Sequence, residues 1–181
     1  MKNNYPDLIR KASVYDVATK TPLDFAPLIS KRTGSQIWFK REDLQPVFSY
    51  KIRGAYNLMS SLSDEMMRSG VVAASAGNHA QGVALSAKKL GVKATIVMPK
   101  TTPEIKVEAV VRLDGHVILH GNSYDDASDY AQKFALVKNM HYIPPYDHPL
   151  VIAGQGTVGL EILEQSATLP DAIFVPVGGG G

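Results

Sequence analysis

Four short apolar runs separated by helical patterns are the feature that most limits what this chain can fold into. The runs begin roughly 20–25 residues apart, the spacing of consecutive strand–helix units. Strands that alternate with helices form parallel sheets covered by helices on both faces. The chain is therefore predicted to be an α/β protein with a parallel, doubly wound sheet. The predicted strands are Val71–Ala76, Ala94–Pro99, His116–Gly121 and His141–Tyr146.

The segments between these runs carry start and stop signals for helices. After the first run, small apolar residues repeat at helical spacing up to Gly91, the expected stop. Thr102 followed by Pro103 predicts an N-cap with proline at the first helical position. Ser123–Asp126 resembles a capping box. The two ends of the chain are less regular. The expected elements there are a helix in residues 1–50, a break at Thr21-Pro22-Leu23, a strand over Gln36–Lys40, a helix around Thr157–Glu164 and a strand over Ala172–Val177.

Composition excludes several function classes. The formal net charge of +2 and the scattered basic residues argue against a nucleic-acid partner. The absence of cysteine excludes disulfides and cysteine nucleophiles and fits a reducing cytoplasm, and the five scattered histidines do not suggest a metal site. No stretch approaches the roughly 20 apolar residues of a membrane span, and residues 1–6 lack the apolar core of a signal peptide. We therefore expect a cytoplasmic protein without a membrane partner.

Lys51 is the first candidate for chemistry. It lies in the segment Phe48-Ser49-Tyr50-Lys51-Ile52-Arg53-Gly54-Ala55, at the predicted start of a helix, with Phe48 and Tyr50 as a desolvating wall. A lysine forms a Schiff base when its amine is neutral, which burial favours. The segment therefore suggests a lysine that binds an aldehyde cofactor, although taken alone it is also typical of a solvated lysine at a helix end.

A second candidate site is Ser75-Ala76-Gly77-Asn78-His79, which follows a strand and opens a helix. The N-terminus of a helix presents free N–H groups and a positive dipole end, so it can bind a carboxylate or a phosphate. The amide of Asn78 could bond a phenolic oxygen of a cofactor. The alternative is an ordinary strand-to-helix turn in which Ser75 or Asn78 only caps the helix.

Two glycine-rich segments compete as phosphate sites. Gly178–Gly181 follows a predicted strand and is interpreted as a nest of N–H groups around a phosphate, the alternative being a flexible tail. Gly154–Gly159 matches the dinucleotide fingerprint and could belong to a nicotinamide-binding domain. That match is weak, because the strand before it would be short and would directly follow Pro149.

Taken together, these segments resemble the biosynthetic threonine deaminases, pyridoxal-phosphate enzymes of the tryptophan-synthase-β fold type. The resemblance runs from about Tyr15 to Gly181. Its matching blocks are Lys40–Val47, the Lys51 segment, Ser75–Gly82, Pro144–Pro149, Val151–Thr157 and Pro176–Gly181. Many blocks in one order are far more specific than any single motif.

The resemblance implies roles for individual residues. Lys51 would be the Schiff-base lysine and the base that moves the substrate α-proton, and Asn78 would bond the ring hydroxyl of pyridoxal 5'-phosphate. The phosphate loop would consist of Gly178, Gly179, Gly180 and Gly181, and the substrate carboxylate would bind Ser75, Gly77, Asn78 and His79. Gly154–Thr157 would be a structural turn near the site. The implied reaction converts L-threonine, and also L-serine as a second substrate, with L-threonine giving 2-oxobutanoate and ammonia in the first step of isoleucine biosynthesis.

The resemblance also implies an organisation in two lobes. Residues 1–51 and 151–181 would belong to the large lobe and residues 52–150 to the small lobe. Family members continue past the glycine loop, so we expect an N-terminal fragment with a truncated large lobe, unstable or inactive alone. The family further implies a homo-oligomer, a tetramer.

Alternatives to a threonine ammonia-lyase remain open at this point. One is a non-catalytic remnant that binds cofactor weakly or associates with an intact subunit. Another is a serine racemase-type enzyme. Related racemases place a proton-transferring serine at the position of Ala76, and because an alanine cannot transfer protons, the sequence favours elimination.

Overall fold

The structure is a computed structural model that describes residues 4–180. Its helices and strands alternate through the middle of the chain, as the apolar runs predict. In chain order the elements are α1 (Tyr5–Arg10), β1 (Leu23–Phe25), α2 (Pro27–Thr33), β2 (Trp38–Lys40), a 3₁₀ turn (Glu42–Leu44), α3 (Lys51–Met59), α4 (Asp64–Ser69), β3 (Val71–Ala74), α5 (Asn78–Leu90), β4 (Ala94–Met98), α6 (Glu104–Val111), β5 (His116–Leu119), α7 (Tyr124–Val137), β6 (His141–Tyr142) and α8 (Pro149–Gln165).

A four-stranded parallel sheet in the order β5-β4-β3-β6 forms the centre of the molecule. The two inner strands, β3 and β4, are buried along their whole length, as expected for a sheet covered on both faces. One face packs against α3, α5 and α6, and the other packs against α7. The predicted doubly wound α/β fold is therefore confirmed. Each central strand starts at its predicted residue but ends one to four residues earlier.

Most helix signals act as predicted. Gly91 ends α5 in the left-handed conformation, with φ of 68°, and Ser123 and Asp126 form the capping box of α7. The N-cap predicted at Thr102 is wrong. Pro103 itself is the N-cap, because its ψ of 140° keeps it outside the helix, and α6 begins at Glu104.

The region before α3 contains an antiparallel pair of strands, β1 and β2. The strand predicted over Gln36–Lys40 is present but shorter, over Trp38–Lys40. The break at Thr21-Pro22-Leu23 ends on the first residue of β1. One helix was expected in residues 1–50, and the structure has two, α1 and α2.

Two predictions near the end of the chain are wrong. Gly154–Thr157 is not a turn, because it lies inside α8, which also contains the helix predicted around Thr157–Glu164. Gly154 permits α8 to approach α3 closely, since a Cβ there would lie 2.6 Å from the Cα of Gly54. The strand predicted over Ala172–Val177 is an exposed irregular segment, consistent with the need of a strand for a hydrogen-bonded neighbour.

Candidate active site

The candidate site lies where the winding of the sheet reverses. The chain builds outward from β3 through β4 to β5 and then returns to place β6 on the other side of β3. The carboxyl ends of β3 and β6 therefore border a crevice, the usual ligand position in open α/β sheets. The two loops that line it are residues 75–77 and residues 143–148.

Lys51 reaches this crevice from a third direction. It is the first residue of α3, and its Nζ donates a hydrogen bond to the carbonyl oxygen of Pro145 at 2.8 Å. The Nζ atom also lies 5.6 Å from the centre of the Tyr50 ring. Phe48 contributes little to the expected wall, since it is 75% exposed and has a φ of 57°. Burial nevertheless lowers the pKa of the Lys51 amine, which increases its neutral fraction.

The packing of two helices fixes the position of Lys51. All residues of α3 after Lys51 are buried, with α5 on one side and α8 on another. Gly82 of α5 lies under the first turn of α3, since a Cβ there would be 3.2 Å from the carbonyl carbon and oxygen of Lys51. The backbone of Lys51 is therefore held against α5, while its side chain extends toward the loop after β6.

The loop after β3 has the geometry of an anion site. Gly77 is the N-cap of α5, and its N–H donates to Ser75 Oγ at 3.1 Å. A Cβ at Gly77 would have no atom within 4 Å, so a ligand can approach the backbone there. The first N–H groups of a helix have no intrahelical acceptor and point toward such a ligand. Asn78 is exposed beside them.

His79 differs from its neighbours in being buried. Its Nε2 lies 3.0 Å from the carbonyl oxygen of Ile143, and the residue is only 4% exposed. Burial, together with the nearby charge of Lys51, lowers the pKa of His79 to about 4, against the opposing effect of the bond to Ile143. The imidazole is therefore neutral at physiological pH.

The glycine loop approaches the same crevice from the end of the described chain. Gly179 lies on the ring of Tyr146, since a Cβ there would be 2.5 Å from Cδ1 and Cε1 of that ring. Gly180 has a φ of 76°, a conformation that favours glycine. Gly178 is exposed, and Gly181 lies outside the described residues. The predicted phosphate loop thus meets the loop that holds the Lys51 amine.

A buried ionic cluster lies two residues beyond Lys51, and nothing in the sequence analysis predicted it. Arg53 is fully buried and donates to both carboxylate oxygens of Glu42 at 2.8 Å. It also donates to Glu161 at 2.6 and 3.1 Å and to Thr157 Oγ1 at 3.0 Å. Lys40 pairs with Glu161 from a third segment. Two cations thereby balance two carboxylates and join α3, α8 and the 3₁₀ turn.

Coulombic attraction keeps the members of this cluster charged. Burial opposes ionisation of Arg53, but its bonds to Glu42 and Glu161 outweigh burial and raise its pKa. Burial likewise opposes ionisation of Glu161, yet Arg53 and Lys40 lower its pKa overall. Tyr15 donates to Glu161 at 2.8 Å, and burial together with this carboxylate raises the Tyr15 pKa to about 12. A sequence signal for the cluster exists in α8, where Gly154, Thr157 and Glu161 follow helical spacing on the face toward α3.

Within residues 4–180, no group of three or more His, Asp or Glu side chains is arranged to hold a metal ion. Over the same range, no helix combines the length and apolar character that crossing a membrane requires.

Comparison with known proteins decides the family. The family model described as "Pyridoxal-phosphate dependent enzyme" matches residues 14–181. The chain belongs to the pyridoxal-phosphate dependent enzyme family. Its relatives include many threonine dehydratases, and the fold is that of the structurally characterised members.

Three relatives illustrate the extent of the similarity. The chain is 60% identical over 173 residues to "Threonine dehydratase 1 biosynthetic, chloroplastic" of Solanum lycopersicum, covering 96% of this chain and 28% of that protein. It is 55% identical to "L-threonine dehydratase biosynthetic IlvA" of Pasteurella multocida, covering 98% and 34%. The processed form of threonine deaminase isoform 2 from Solanum lycopersicum superposes with a TM-score of 0.88 at 51% identity, covering 90% and 45%. The chain thus spans about a third of the curated relatives.

The residues of the crevice fit the cofactor of this family. Pyridoxal phosphate carries an aldehyde, a ring hydroxyl and a phosphate, and the crevice offers a partner for each. Lys51 presents a desolvated amine, and Asn78 presents an exposed amide. The loop Gly178–Gly180 lies so close to Tyr146 that a Cβ at Gly179 would clash with its ring. The assignments of Lys51, Asn78 and the glycine loop stay predictions.

Proposed function

We propose that this chain carries the lysine-bearing part of a threonine ammonia-lyase, which converts L-threonine to 2-oxobutanoate and ammonia and accepts L-serine as well. One observation carries the proposal: the half-buried amine of Lys51 lies in the crevice that the anion-binding end of α5 opens into. The relatives named threonine dehydratase, at 55–60% identity, support this substrate over other amino acids.

Each group in the crevice has a distinct task in this reaction. Bound pyridoxal phosphate supplies the electron sink that makes the α-proton of an amino acid acidic. Lys51, whose pKa burial lowers, is able to accept that proton as a neutral amine. The N–H groups at the start of α5, with Ser75 and Asn78, bind the substrate carboxylate. This orients the bond that must break toward the lysine.

The cellular context follows from the same proposal. The reaction would be the first step of isoleucine biosynthesis, carried out in the cytoplasm by a homo-oligomer. The names of the bacterial and plant relatives support a biosynthetic role, and the plant relative is named chloroplastic. Size-exclusion chromatography with light scattering would test the assembly.

A trapping experiment tests the core of the proposal. The purified chain is mixed with pyridoxal phosphate, reduced with borohydride and digested, and the modified lysine is located by mass spectrometry. Modification should concentrate on Lys51 and vanish in Lys51→Ala, whereas the matched control Lys100→Ala, an exposed lysine, should trap normally. Equal labelling of many surface lysines would refute a dedicated site.

A turnover assay separates the enzyme from a non-catalytic remnant. Threonine is added to the loaded chain and to a full-length relative, and 2-oxobutanoate is measured in both. Trapping at Lys51 without product in this chain would favour the remnant. The nicotinamide alternative has lost its motif, because Gly154–Gly159 is part of α8 rather than a strand-to-helix turn. A full-length Ala76→Ser variant distinguishes the racemase alternative, since it should gain racemisation of chiral substrate.

A further inference from the structure

The bond between His79 and Ile143 spans the crevice. His79 is the second residue of α5, and Ile143 directly follows β6, 64 positions later in the chain. Because the acceptor is a carbonyl oxygen, Nε2 must carry the proton. The neutral ring then has an unprotonated Nδ1, which cannot donate to a substrate carboxylate.

The segment that His79 holds has few other means of support. β6 pairs with β3 through two residues, His141 and Tyr142, and two further bonds join the His141 N–H to the Gly70 carbonyl at 3.0 Å and the Ile143 N–H to the Val72 carbonyl at 2.8 Å. Pro144 and Pro145 follow and have no N–H to donate. The carbonyl of Ile143, a fully buried residue, therefore depends on His79.

Two residues further on, the Pro145 carbonyl accepts the hydrogen bond from Lys51 Nζ. We infer that His79 is a positioning residue: its imidazole fixes the loop of residues 143–148 and thereby places the Pro145 carbonyl that orients the Lys51 amine. This role goes beyond carboxylate binding and rests on Lys51 being the reactive lysine of the proposed function.

Two substitutions isolate the hydrogen bond from the volume of the ring. His79→Gln keeps an N–H donor at about the reach of Nε2, whereas His79→Met fills similar space without a donor. His116→Met, an exposed histidine on β5, is the matched control. Each variant is made in the 181-residue chain, and circular dichroism together with amide protection of β3 and β4 identifies the variants that fold.

Hydrogen exchange provides the first readout and requires no cofactor. In His79→Met the amides of Ile143 and His148, which donate to the carbonyls of Val72 and Tyr146, should exchange at least about tenfold faster, because an unsatisfied buried carbonyl favours opening of the loop. His79→Gln should stay within about threefold of the parent chain. Unchanged exchange in a folded His79→Met chain would overturn the inference, as would equal loss of protection in both variants. If His79→Met does not fold, His79→Gln is the test: the amides in its loop of residues 143–148 must then remain protected from exchange.

Trapping of pyridoxal phosphate with borohydride provides the second readout. The rate of modification at Lys51 should fall about tenfold in His79→Met and recover in His79→Gln, while modification of exposed Lys20 stays constant in all variants. Recovery by the conservative variant distinguishes placement of the lysine from general loosening. If the parent chain itself does not trap at Lys51, the proposed function fails while hydrogen exchange still decides the role of His79.

Discussion

Two cations that lie two residues apart on α3 have opposite environments. Lys51 is half-buried and reaches one neutral acceptor, the carbonyl of Pro145. Arg53 is fully buried and reaches two carboxylates, a hydroxyl and a carbonyl. The pKa of Lys51 is lowered by burial, whereas that of Arg53 is raised by its carboxylates in spite of burial.

The difference shows how one helix combines reactivity with rigidity. A cation without a carboxylate partner gives up its proton more easily, which suits a base or a nucleophile. A cation with two carboxylates is locked in charge and position. Because both belong to the first turn of α3, the fixed residue anchors the backbone from which the reactive residue extends.

The largest effect on stability is expected when Arg53, the fixed cation, is replaced. Arg53→Met should lower the free energy of unfolding by about 3–5 kcal/mol, because Glu42 and Glu161 would remain buried with only Lys40 as a cation. Urea denaturation followed by tryptophan fluorescence would measure it. The control Arg112→Met removes a partner of an exposed pair with Glu108 and should change stability by less than about 1 kcal/mol.

The dependence of stability on pH distinguishes the contribution of the neutral His79 ring from that of the charged cluster around Arg53. Burial lowers the pKa of His79 from 6.5 to about 4, so the unfolded chain binds a proton in this window and the folded chain does not. Stability conferred by the neutral ring is complete above pH 6.5 and should fall by roughly 3 kcal/mol as the pH drops to about 4.

The variant His79→Gln tests whether His79 causes this loss, since the variant should not lose the stability that the neutral ring contributes. Glu161, whose pKa is lowered overall, contributes stability that disappears only as the pH falls below about 4.5 through its folded pKa. That acid loss should persist in the variant. Equal pH dependence of both chains between pH 6.5 and about 5 would show that His79 is not the titrating group.

The close contact between α8 and α3 predicts a smaller effect on stability. A Cβ at Gly154 would lie 2.7 Å from the Arg53 carbonyl oxygen, so Gly154→Ala should reduce the unfolding free energy by about 1–3 kcal/mol. Gly159 lies in the same helix, and a Cβ there would meet nothing within 4 Å. Gly159→Ala should therefore stabilise the chain by about 0.5–1 kcal/mol. Thermal melts of the two variants should move in opposite directions.

The smallest effect on stability is expected at Lys51. Lys51→Met removes an amine that burial already disfavours and leaves one carbonyl, so the unfolding free energy should change by less than about 1 kcal/mol. The same variant should lose the site-specific trapping of pyridoxal phosphate, while background modification of exposed lysines such as Lys20 stays constant. A loss of stability as large as that of Arg53→Met would contradict the division of roles between the two cations.

The central sheet could be predicted from sequence because its signals are local. Buried strands are continuous apolar runs, and Gly91 and the Ser123 capping box end or begin helices through contacts within a few residues. The position of Lys51 at the start of α3 follows from the same kind of pattern. The crevice itself follows once the strands are parallel and their order reverses at β3.

The remaining features depend on partners that are distant in sequence. The glycines of α8 look like those of a turn, because their use in close helix packing becomes visible only when Gly54 and Ile9 are beside them. Residues 172–177 have the composition of a strand without a strand to pair with. The role of Arg53 is not visible in the sequence, because its partners, Glu42 and Glu161, are 11 and 108 positions away.

The separation of Arg53 and Glu161 has a consequence for the nascent chain. Ribosomes add roughly 5–20 residues per second, so α3 is synthesised on the order of 5–20 s before its second carboxylate, which lies 108 positions later. During that interval the apolar sides of α3 lack α8, and burial of the guanidinium has only Glu42 to compensate it. Seating of Lys51 in its crevice is therefore a late event of folding, and the emerging chain is most exposed to aggregation just before α8 appears.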